Sequence, residues 1–474
     1  MTLASVLLSL SPSFVGSVAA HTDTLLAGAA ENLFTPAMEQ SDDWQPTVYE
    51  DLYARSLVLS DGRNYLAIIT ADHFMQGFDE SEMMRRVVNR ATGIPPNDIF
   101  INFSHTHNSM LPGERWRKEA QVSTAELDIP YDEWLGREGR ELDPFVQWWF
   151  CHLAEATKRA KDNLRPAELG VGRAPVQIGY NRRSIRDGVC VMAENPNGAV
   201  VPWTDVLGVY SKDTGRCDAK NRIAVMFTHA AHPVIVHFGG WPNPDYSKPA
   251  IGPDFPGYAV KHLRNLLTAD DQQSGVLMFA QACGANINGF PLRGGIGACE
   301  VAGLSLAFAT RNAIDNRAVI TPGVLRNRQS TLSLPYKLPP VEQVKKWLSE
   351  DPESGNLKHL LEVSESGVRK YLELPMTAYA IGNDLVILML PGEMFCEYQL
   401  HADAVSSFPH TIVLGYINGS VSYVATAKDY ELPDLTGGHG VSPNSAYLPL
   451  EPETEGMIKD GIAKLLNDLK ADCG

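Results

Sequence analysis

The segment Ile99-Phe100-Ile101-Asn102-Phe103-Ser104-His105-Thr106-His107 joins a strand-like run to two histidines that are two residues apart. Its pattern predicts a buried β-strand that ends near Phe103. Because alternate residues of an extended chain point the same way, the spacing predicts that His105 and His107 project to one side beyond the strand end. This arrangement favours a metal or catalytic site. The alternative is a pair of hydrogen-bonded histidines in a loop.

Strand-like and helix-like segments alternate along the rest of the chain. Hairpins are predicted for residues 53–59 with 65–70 and for 377–381 with 385–390, each around a polar turn. Residues 297–314 predict a buried helix that is rich in small side chains. This pattern predicts an α/β fold: a single large domain with a mixed β-sheet flanked by helices, and an active site beyond the strand ends.

Composition narrows the class of partner. The 474 residues carry a formal net charge of −16 and are 44% hydrophobic. An acidic chain argues against nucleic acid and against anionic membranes as the main partner, because both attract clustered Lys and Arg. No stretch reaches the roughly 20 apolar residues that a membrane span needs, so no transmembrane segment is predicted. The sequence predicts no particular oligomeric state.

Several common motifs are missing from the sequence. The seven cysteines include no CxxC pair, which argues against a disulfide scaffold or a zinc ribbon but leaves room for a single disulfide. There is no GxGxxG, P-loop, GxSxG or HExxH sequence. Dinucleotide-dependent hydride transfer, NTP hydrolysis, the usual serine hydrolases and the HExxH zinc proteases therefore lose support.

The first 20 residues have two interpretations. Residues 3–10 are apolar, and Ser17-Val18-Ala19-Ala20 resembles a signal-peptide cleavage site, but Pro12 interrupts the segment and no Lys or Arg precedes it. Residues 1–20 are therefore either a signal peptide or a disordered start, followed by one domain over 21–474. A signal peptide would make the protein secreted, whereas a disordered start fits a cytoplasmic protein.

Other polar side chains also follow apolar strands. Three histidines come after the strand-like residues 222–228, at a spacing that matches no compact zinc motif: His229, His232 and His237. Glu393 follows an apolar run and a Pro-Gly turn, where it would also suit the start of a helix. Tyr423 and Tyr430 flank a short strand and would usually be core or cleft-wall residues.

Seven segments occur in the same order as in one known family and together cover most of the chain. They are residues 25–35 with the following hairpin, Ser104-His105-Thr106-His107, Gly179-Tyr180-Asn181-Arg182, residues 227–233, residues 254–258, Pro391-Gly392-Glu393, and residues 423–430. In this order they resemble the N-terminal catalytic domain of the neutral/alkaline non-lysosomal ceramidases. The chain ends near the end of that domain, so we expect no C-terminal immunoglobulin-like domain.

The resemblance implies a zinc ion (Zn2+) held by His105, His232, Glu393 and Tyr423. These positions match the first His of His-Thr-His, the His before Pro in the second cluster, the Glu of Pro-Gly-Glu and the Tyr of Tyr-x-x-Thr. A bound zinc lowers the pKa of its water toward about 7 and so creates a nucleophile.

The resemblance also implies which residues face the substrate. His107 and Arg182 would bind or polarise the substrate amide, with Tyr430 and Tyr447 near its carbonyl. Asn288 takes the place of the family's active-site Ser. An Asn side chain cannot form an alkoxide nucleophile, but its amide can donate to an oxyanion or position a water.

These features predict a zinc-dependent amidohydrolase that cleaves a small-molecule or lipid amide, such as a ceramide-like N-acyl lipid, by metal-activated water. Two alternatives stay open at this point. The same zinc site would also suit an esterase or other acyl hydrolase. The presence of Asn288 in place of the family's Ser would also fit a degenerate binding protein without activity.

Overall fold

The computed structural model describes residues 24–35, 47–75, 77–109, 144–212, 219–236, 250–269, 274–321, 323–419, 423–433 and 449–473. The proposed leader (residues 1–20), His237 and Tyr447 lie outside these ranges. The strands are β1 (Leu26–Leu33), β2 (Thr47–Val48), β3 (Tyr53–Ser60), β4 (Tyr65–Ala71), β5 (Ile99–Phe103), β6 (Arg165–Pro175), β7 (Gly179–Asn181), β8 (Arg183–Arg186), β9 (Val189–Met192), β10 (Trp203–Ser211), β11 (Arg222–His229), β12 (Ala250–Ile251), β13 (Val276–Gln281), β14 (Ile287–Gly289), β15 (Ala318–Ile320), β16 (Leu325–Pro335), β17 (Tyr371–Ile381), β18 (Leu385–Met389), β19 (Glu393–Met394), β20 (His410–Leu414) and β21 (Tyr423–Val424). The helices are α1 (Phe78–Thr92), α2 (Pro144–Asp162), α3 (Asp254–Ala269), α4 (Gly295–Asp315), α5 (Val341–Glu350), α6 (Gly355–Ser366), α7 (Cys396–Val405), α8 (Ala427–Glu431) and α9 (Thr454–Cys473).

Two sheets form the framework of the described part of the chain. The larger sheet has the order β13-β11-β10-β6-β1-β3-β4-β5, with β15 beside β6, and the second has the order β16-β17-β18-β20. Both sheets mix parallel and antiparallel pairs, and both predicted hairpins are present as β3–β4 and β17–β18. The predicted mixed α/β fold is therefore confirmed.

Three strand–helix–strand units carry the segments that matter for function. The pairs β4–β5, β11–β13 and β18–β20 are each parallel, and each is connected through a helix: α1, α3 and α7. In each pair the two strands end in register, as in Ala71 opposite Phe103 and His229 opposite Gln281. Parallel strands in register deliver the residues that follow them to one edge of the sheet.

The side chain of Asn102 joins the strand ends of all three units. Its Nδ2 donates to the carbonyl oxygens of Gln281, at 3.0 Å, and Gly415, at 2.7 Å. Its Oδ1 accepts from the Gln281 amide at 2.7 Å. Asn102 lies in β5 and Gln281 in β13, the two edge strands of the larger sheet, and Gly415 follows β20. This fully buried amide therefore holds both edges of one sheet and an end of the other together.

Apolar side chains between the two sheets form the central core. Leu57, Ile68 and Met226 of the larger sheet belong to one buried cluster with Tyr379 and Ile387 of the second sheet. Fully burying a Leu, Ile or Met side chain contributes about 1.5–3 kcal/mol each, so this layer stabilises the packing of the sheets.

The prediction that residues 297–314 form a buried helix is wrong in one respect. Helix α4 packs against α3, β6 and β10, but its other side is open, with Val301 64% and Phe308 55% exposed. Small residues such as Gly303 allow the close contact with α3, and the apolar side chains on the opposite face made the whole helix look buried.

Helices and cysteines add two further findings. None of the described helices is both long enough and apolar enough to cross a membrane. The six cysteines within the described ranges are free thiols: Cys151, Cys190, Cys283, Cys299, Cys396 and Cys473.

Asn102→Ala should destabilise the protein strongly, because it removes three hydrogen bonds and leaves buried backbone groups of Gln281 and Gly415 without this partner. Each such group costs about 1–3 kcal/mol. We expect the free energy of unfolding, measured in urea, to fall by about 2–4 kcal/mol. Asn265→Ala, on the exposed face of α3, is the control and should change it by less than about 0.5 kcal/mol. Equal effects of the two variants would contradict the role given to Asn102.

Candidate metal centre

Three of the four residues predicted to hold zinc form a tight buried group, called here the His–Glu cluster: His105, His232 and Glu393. The Nε2 atoms of His105 and His232 lie 3.5 and 3.2 Å from Glu393 Oε2. All three residues are at most 5% exposed. The fourth, Tyr423, lies directly opposite Glu393 in the short parallel pair β19–β21. The fold thus brings together residues that are up to 318 positions apart in the sequence.

His105 reaches the cluster through a left-handed turn and not through strand alternation. β5 ends at Phe103, and His105 has a φ of +64°, a region that His adopts more readily than most residues. Its ring stacks on Phe74 with 4.4 Å between centroids, and its Nδ1 lies 2.9 Å from the Phe74 carbonyl oxygen. The rings of His105 and His107 do come close, at 5.1 Å and nearly perpendicular. The expected proximity is present, but extended geometry was the wrong reason for it.

His232 follows β11 and is held by backbone carbonyl groups of the segment after β13. Its amide donates to the Ile287 carbonyl at 2.9 Å, and its Nδ1 lies 2.8 Å from the Gly284 carbonyl oxygen. Burial, with the nearby Arg182 cation, lowers the pKa of His232 to about 3. The imidazole is therefore neutral at pH 7 and keeps a lone pair on one nitrogen.

Hydrogen bonding decides which nitrogen carries that lone pair. A carbonyl oxygen can only accept, so the Nδ1 atoms of His105 and His232 must donate to Phe74 and Gly284. The Nε2 atoms of both rings are then the ones that point at Glu393 Oε2. Although burial opposes it, His105 and His232 hold the pKa of Glu393 well below its usual value, so the carboxylate is ionised. Two imidazole nitrogens and a carboxylate oxygen that converge in this way could hold a metal ion.

The distances from the two histidine Nε2 atoms to Glu393 Oε2 fit a zinc site. Zinc bonds to imidazole nitrogen and carboxylate oxygen are about 2.0–2.2 Å, so neighbouring ligand atoms of a tetrahedral site lie about 3.3 Å apart. The separations of 3.2 and 3.5 Å in the His–Glu cluster match this value. The donor set, with two imidazoles and one carboxylate, is also typical of zinc sites that act in hydrolysis.

His107 offers a third imidazole at the same place. The ligand atoms of His105, His107 and His232 all lie within 4.8 Å of one another. The His107 ring packs edge-on against Phe74 and lies 5.9 Å from the His232 ring. His107 is therefore close enough to contact either a metal or a group bound to it.

Glu393 and Tyr423 owe their placement to strand pairing. Sequence reasoning left open a helix-start role for Glu393, but this residue lies in β19, and helix α7 begins only at Cys396. Burial raises the pKa of Tyr423, and the neighbouring carboxylate of Glu393 raises it further. Arg182 Nη2 opposes this by donating to the Tyr423 hydroxyl at 3.1 Å.

Arg182 and Asn288 lie behind the cluster as a pair. Asn288 Oδ1 accepts from Arg182 Nη1 at 3.0 Å, and Arg182 Nη2 also donates to the Ala285 carbonyl and lies 3.4 Å from His232 Nε2. The backbone of Asn288 forms an isolated parallel β-bridge with His232, and Asn288 lies opposite Tyr180 in the β7–β14 pair. The residue in the place of the family's Ser therefore fixes the position of a buried cation next to His232 and Tyr423.

Tyr430 lies near Tyr423 in the core of the second sheet. Its hydroxyl accepts from the Ala425 amide at 2.8 Å. Tyr430 is 4% exposed and belongs to the apolar cluster around β17 and β18. Its predicted role near a substrate carbonyl stays a prediction, as does that of Tyr447.

Sequence reasoning missed two aromatic residues at this site. Phe74 fixes the tautomer of His105 with its carbonyl group and supports the ring from one face. Tyr416 packs against the same imidazole, with 4.7 Å between ring centroids. Both follow strands, β4 and β20, so the rule that functional residues gather beyond strand ends would have flagged them.

Comparison with solved structures finds two ceramidases at low sequence identity. A ceramidase complexed with C2 is 15% identical, with a TM-score of 0.64, over 95% of this chain and 76% of the other. The neutral ceramidase from Pseudomonas aeruginosa is 16% identical, with a TM-score of 0.63, over 95% and 75%. No protein-family model and no curated protein matches the chain. The chain therefore has a ceramidase-like fold, as the motif resemblance predicted.

A buried ion pair connects the segments that carry Arg182 and Tyr423. Arg183 Nε lies 2.5 Å from Asp429 Oδ1, and both residues are at most 5% exposed. Arg183→Met leaves the Asp429 charge unpaired, so we expect a loss of about 3–5 kcal/mol in the free energy of unfolding. Adding Asp429→Leu to this variant should restore most of the loss in the same urea titration. If the double variant is no more stable than the single one, an unpaired buried charge is not the cause.

Proposed function

We propose that this protein is a zinc-dependent hydrolase that cleaves the amide bond of an N-acyl lipid of the ceramide type. The observation that carries the proposal is the His–Glu cluster, in which two imidazoles and one carboxylate converge at the separations of a tetrahedral zinc site. The ceramidase-like fold supports the amide substrate. Tyr423, opposite Glu393, is proposed as the fourth ligand.

The chain's own side chains supply charge and orientation for such a reaction. Bound zinc would lower the pKa of a water molecule toward about 7 and polarise a carbonyl group. Arg182, fixed by Asn288 and next to Tyr423, would stabilise a negative charge that develops on the substrate oxygen. His107, next to the cluster, would orient the amide.

The ligand assignment predicts the metal content of variants. Wild-type protein should hold about one zinc per chain after mild dialysis, whereas His105→Ala and Glu393→Ala should each hold almost none, because each removes one of the four proposed ligands. Metal analysis and amide hydrolysis would measure this. His359→Ala, whose side chain is 78% exposed, is the matched control and should retain zinc and activity. Zinc that stays bound in both ligand variants would show that the ligand set is wrong.

A panel of matched substrates tests the reaction itself. We expect zinc-dependent hydrolysis of an N-acyl amide with a long acyl chain, abolished by a chelator and restored by zinc. The ester with the same acyl and leaving portions is the comparison. Turnover of the ester alone would assign an acyl hydrolase in place of an amidase. Stoichiometric zinc without turnover of either substrate would assign a binding protein on the same scaffold.

A further inference from the structure

Tyr416 lies next to the His–Glu cluster and has no part in the proposed reaction. It follows β20 and is fully buried. Its ring lies 4.7 Å from the His105 ring and 6.2 Å from the His232 ring. It therefore contacts both proposed histidine ligands from one side.

The backbone of Tyr416 is attached to both segments that deliver the cluster. Its amide donates to the Gly392 carbonyl at 3.1 Å, one residue before Glu393. Its carbonyl accepts from the Phe103 amide at 3.3 Å, two residues before His105. Any movement of Tyr416 would therefore also move the backbone next to two proposed ligands, Glu393 and His105.

Two features of Tyr416 lower the stability of the folded protein. Its φ is +54°, a left-handed conformation that is strained for a bulky side chain. Its hydroxyl is buried and has no hydrogen-bond partner among the described residues, whereas nearly all buried polar groups are paired. Such outliers concentrate at functional sites, where the surroundings keep them in place.

The charged groups around this hydroxyl are those of the site. Burial raises the pKa of Tyr416, and the Glu393 carboxylate is the next cause, followed by Tyr423. The Glu393 carboxylate is thus near enough to act on this hydroxyl, and a carboxylate oxygen can accept a hydrogen bond. Glu393 Oε2 is shared between two histidines, and a carboxylate has a second oxygen with further acceptor capacity.

We propose that Tyr416 is a positioning residue of the metal centre, whose neutral hydroxyl donates a hydrogen bond to the Glu393 carboxylate when that carboxylate binds zinc. Carboxylates that bind metals are themselves usually hydrogen-bonded, and loss of such a partner costs about 10–100-fold in metal affinity. The inference rests on the proposed zinc site and adds to it a fifth residue that no motif indicated.

Tyr416→Phe is the sharpest test, because it removes one oxygen and keeps the ring. We expect the affinity of metal-free protein for zinc, measured by competition with a chromophoric chelator, to fall by about 10–100-fold. The free energy of unfolding of the metal-free protein should stay the same or rise, since no hydrogen bond is lost there. The absorption spectrum of the cobalt-substituted protein should also change, because the orientation of Glu393 changes.

Tyr379→Phe is the matched control. Tyr379 is equally buried, but its hydroxyl is paired with Asn327, Asp98 and the Tyr65 carbonyl. This variant should lower the stability of the metal-free protein and leave zinc affinity and the cobalt spectrum unchanged. The two variants are thus expected to show opposite patterns.

Each other outcome overturns a defined statement. Unchanged zinc affinity in Tyr416→Phe would overturn the role of Tyr416 while leaving the zinc site intact. Weaker zinc binding together with a less stable metal-free protein would assign Tyr416 a structural role instead. Wild-type protein that binds no stoichiometric zinc would overturn the proposed function itself, and with it the basis of this inference.

Discussion

The side-chain amide of Asn102 is the constraint on which the geometry of the site depends. One donor group and one acceptor group reach Gln281 and Gly415, and so hold the ends of β5, β13 and β20 together. These strands are edges of two different sheets, and the Asn102 contacts add to backbone hydrogen bonds between them, such as Gly415 amide to Gln281 carbonyl at 3.0 Å. Because the interaction is fully buried, its hydrogen bonds do not compete with water, and the segments that follow the strands stay in one place.

The electrostatics of the cluster follow from that placement. His105 and His232 come from different strand units, yet each directs Nδ1 to a backbone carbonyl and Nε2 to Glu393. Backbone contacts of this kind fix the orientation of both rings before any ligand arrives. Arg182 adds a buried positive charge that Asn288 keeps beside His232. The fold thus accepts unfavourable burial of charge in order to have a site that is already organised.

Much of the fold could be predicted from the sequence because local patterns carry it. The hairpins β3–β4 and β17–β18 follow from β-rich runs around polar turns. The prediction that α4 is buried was wrong because apolar side chains on one face do not reveal whether another element packs against that face. The proximity of His105 and His107 was expected from strand alternation, but a turn with positive φ produces it.

The sequence by itself determined the residues with metal-binding chemistry, their position after apolar strands and, through ordered motifs, the ceramidase-like fold. Only the tertiary structure decided which of these residues meet. Spacing along the chain gave no reason for His105, His232 and Glu393 to converge, since they follow strands of two different sheets whose ends meet at Asn102. The position of Tyr416 after a strand is visible in the sequence, but its unpaired buried hydroxyl is not, because that depends on surroundings from separate parts of the chain.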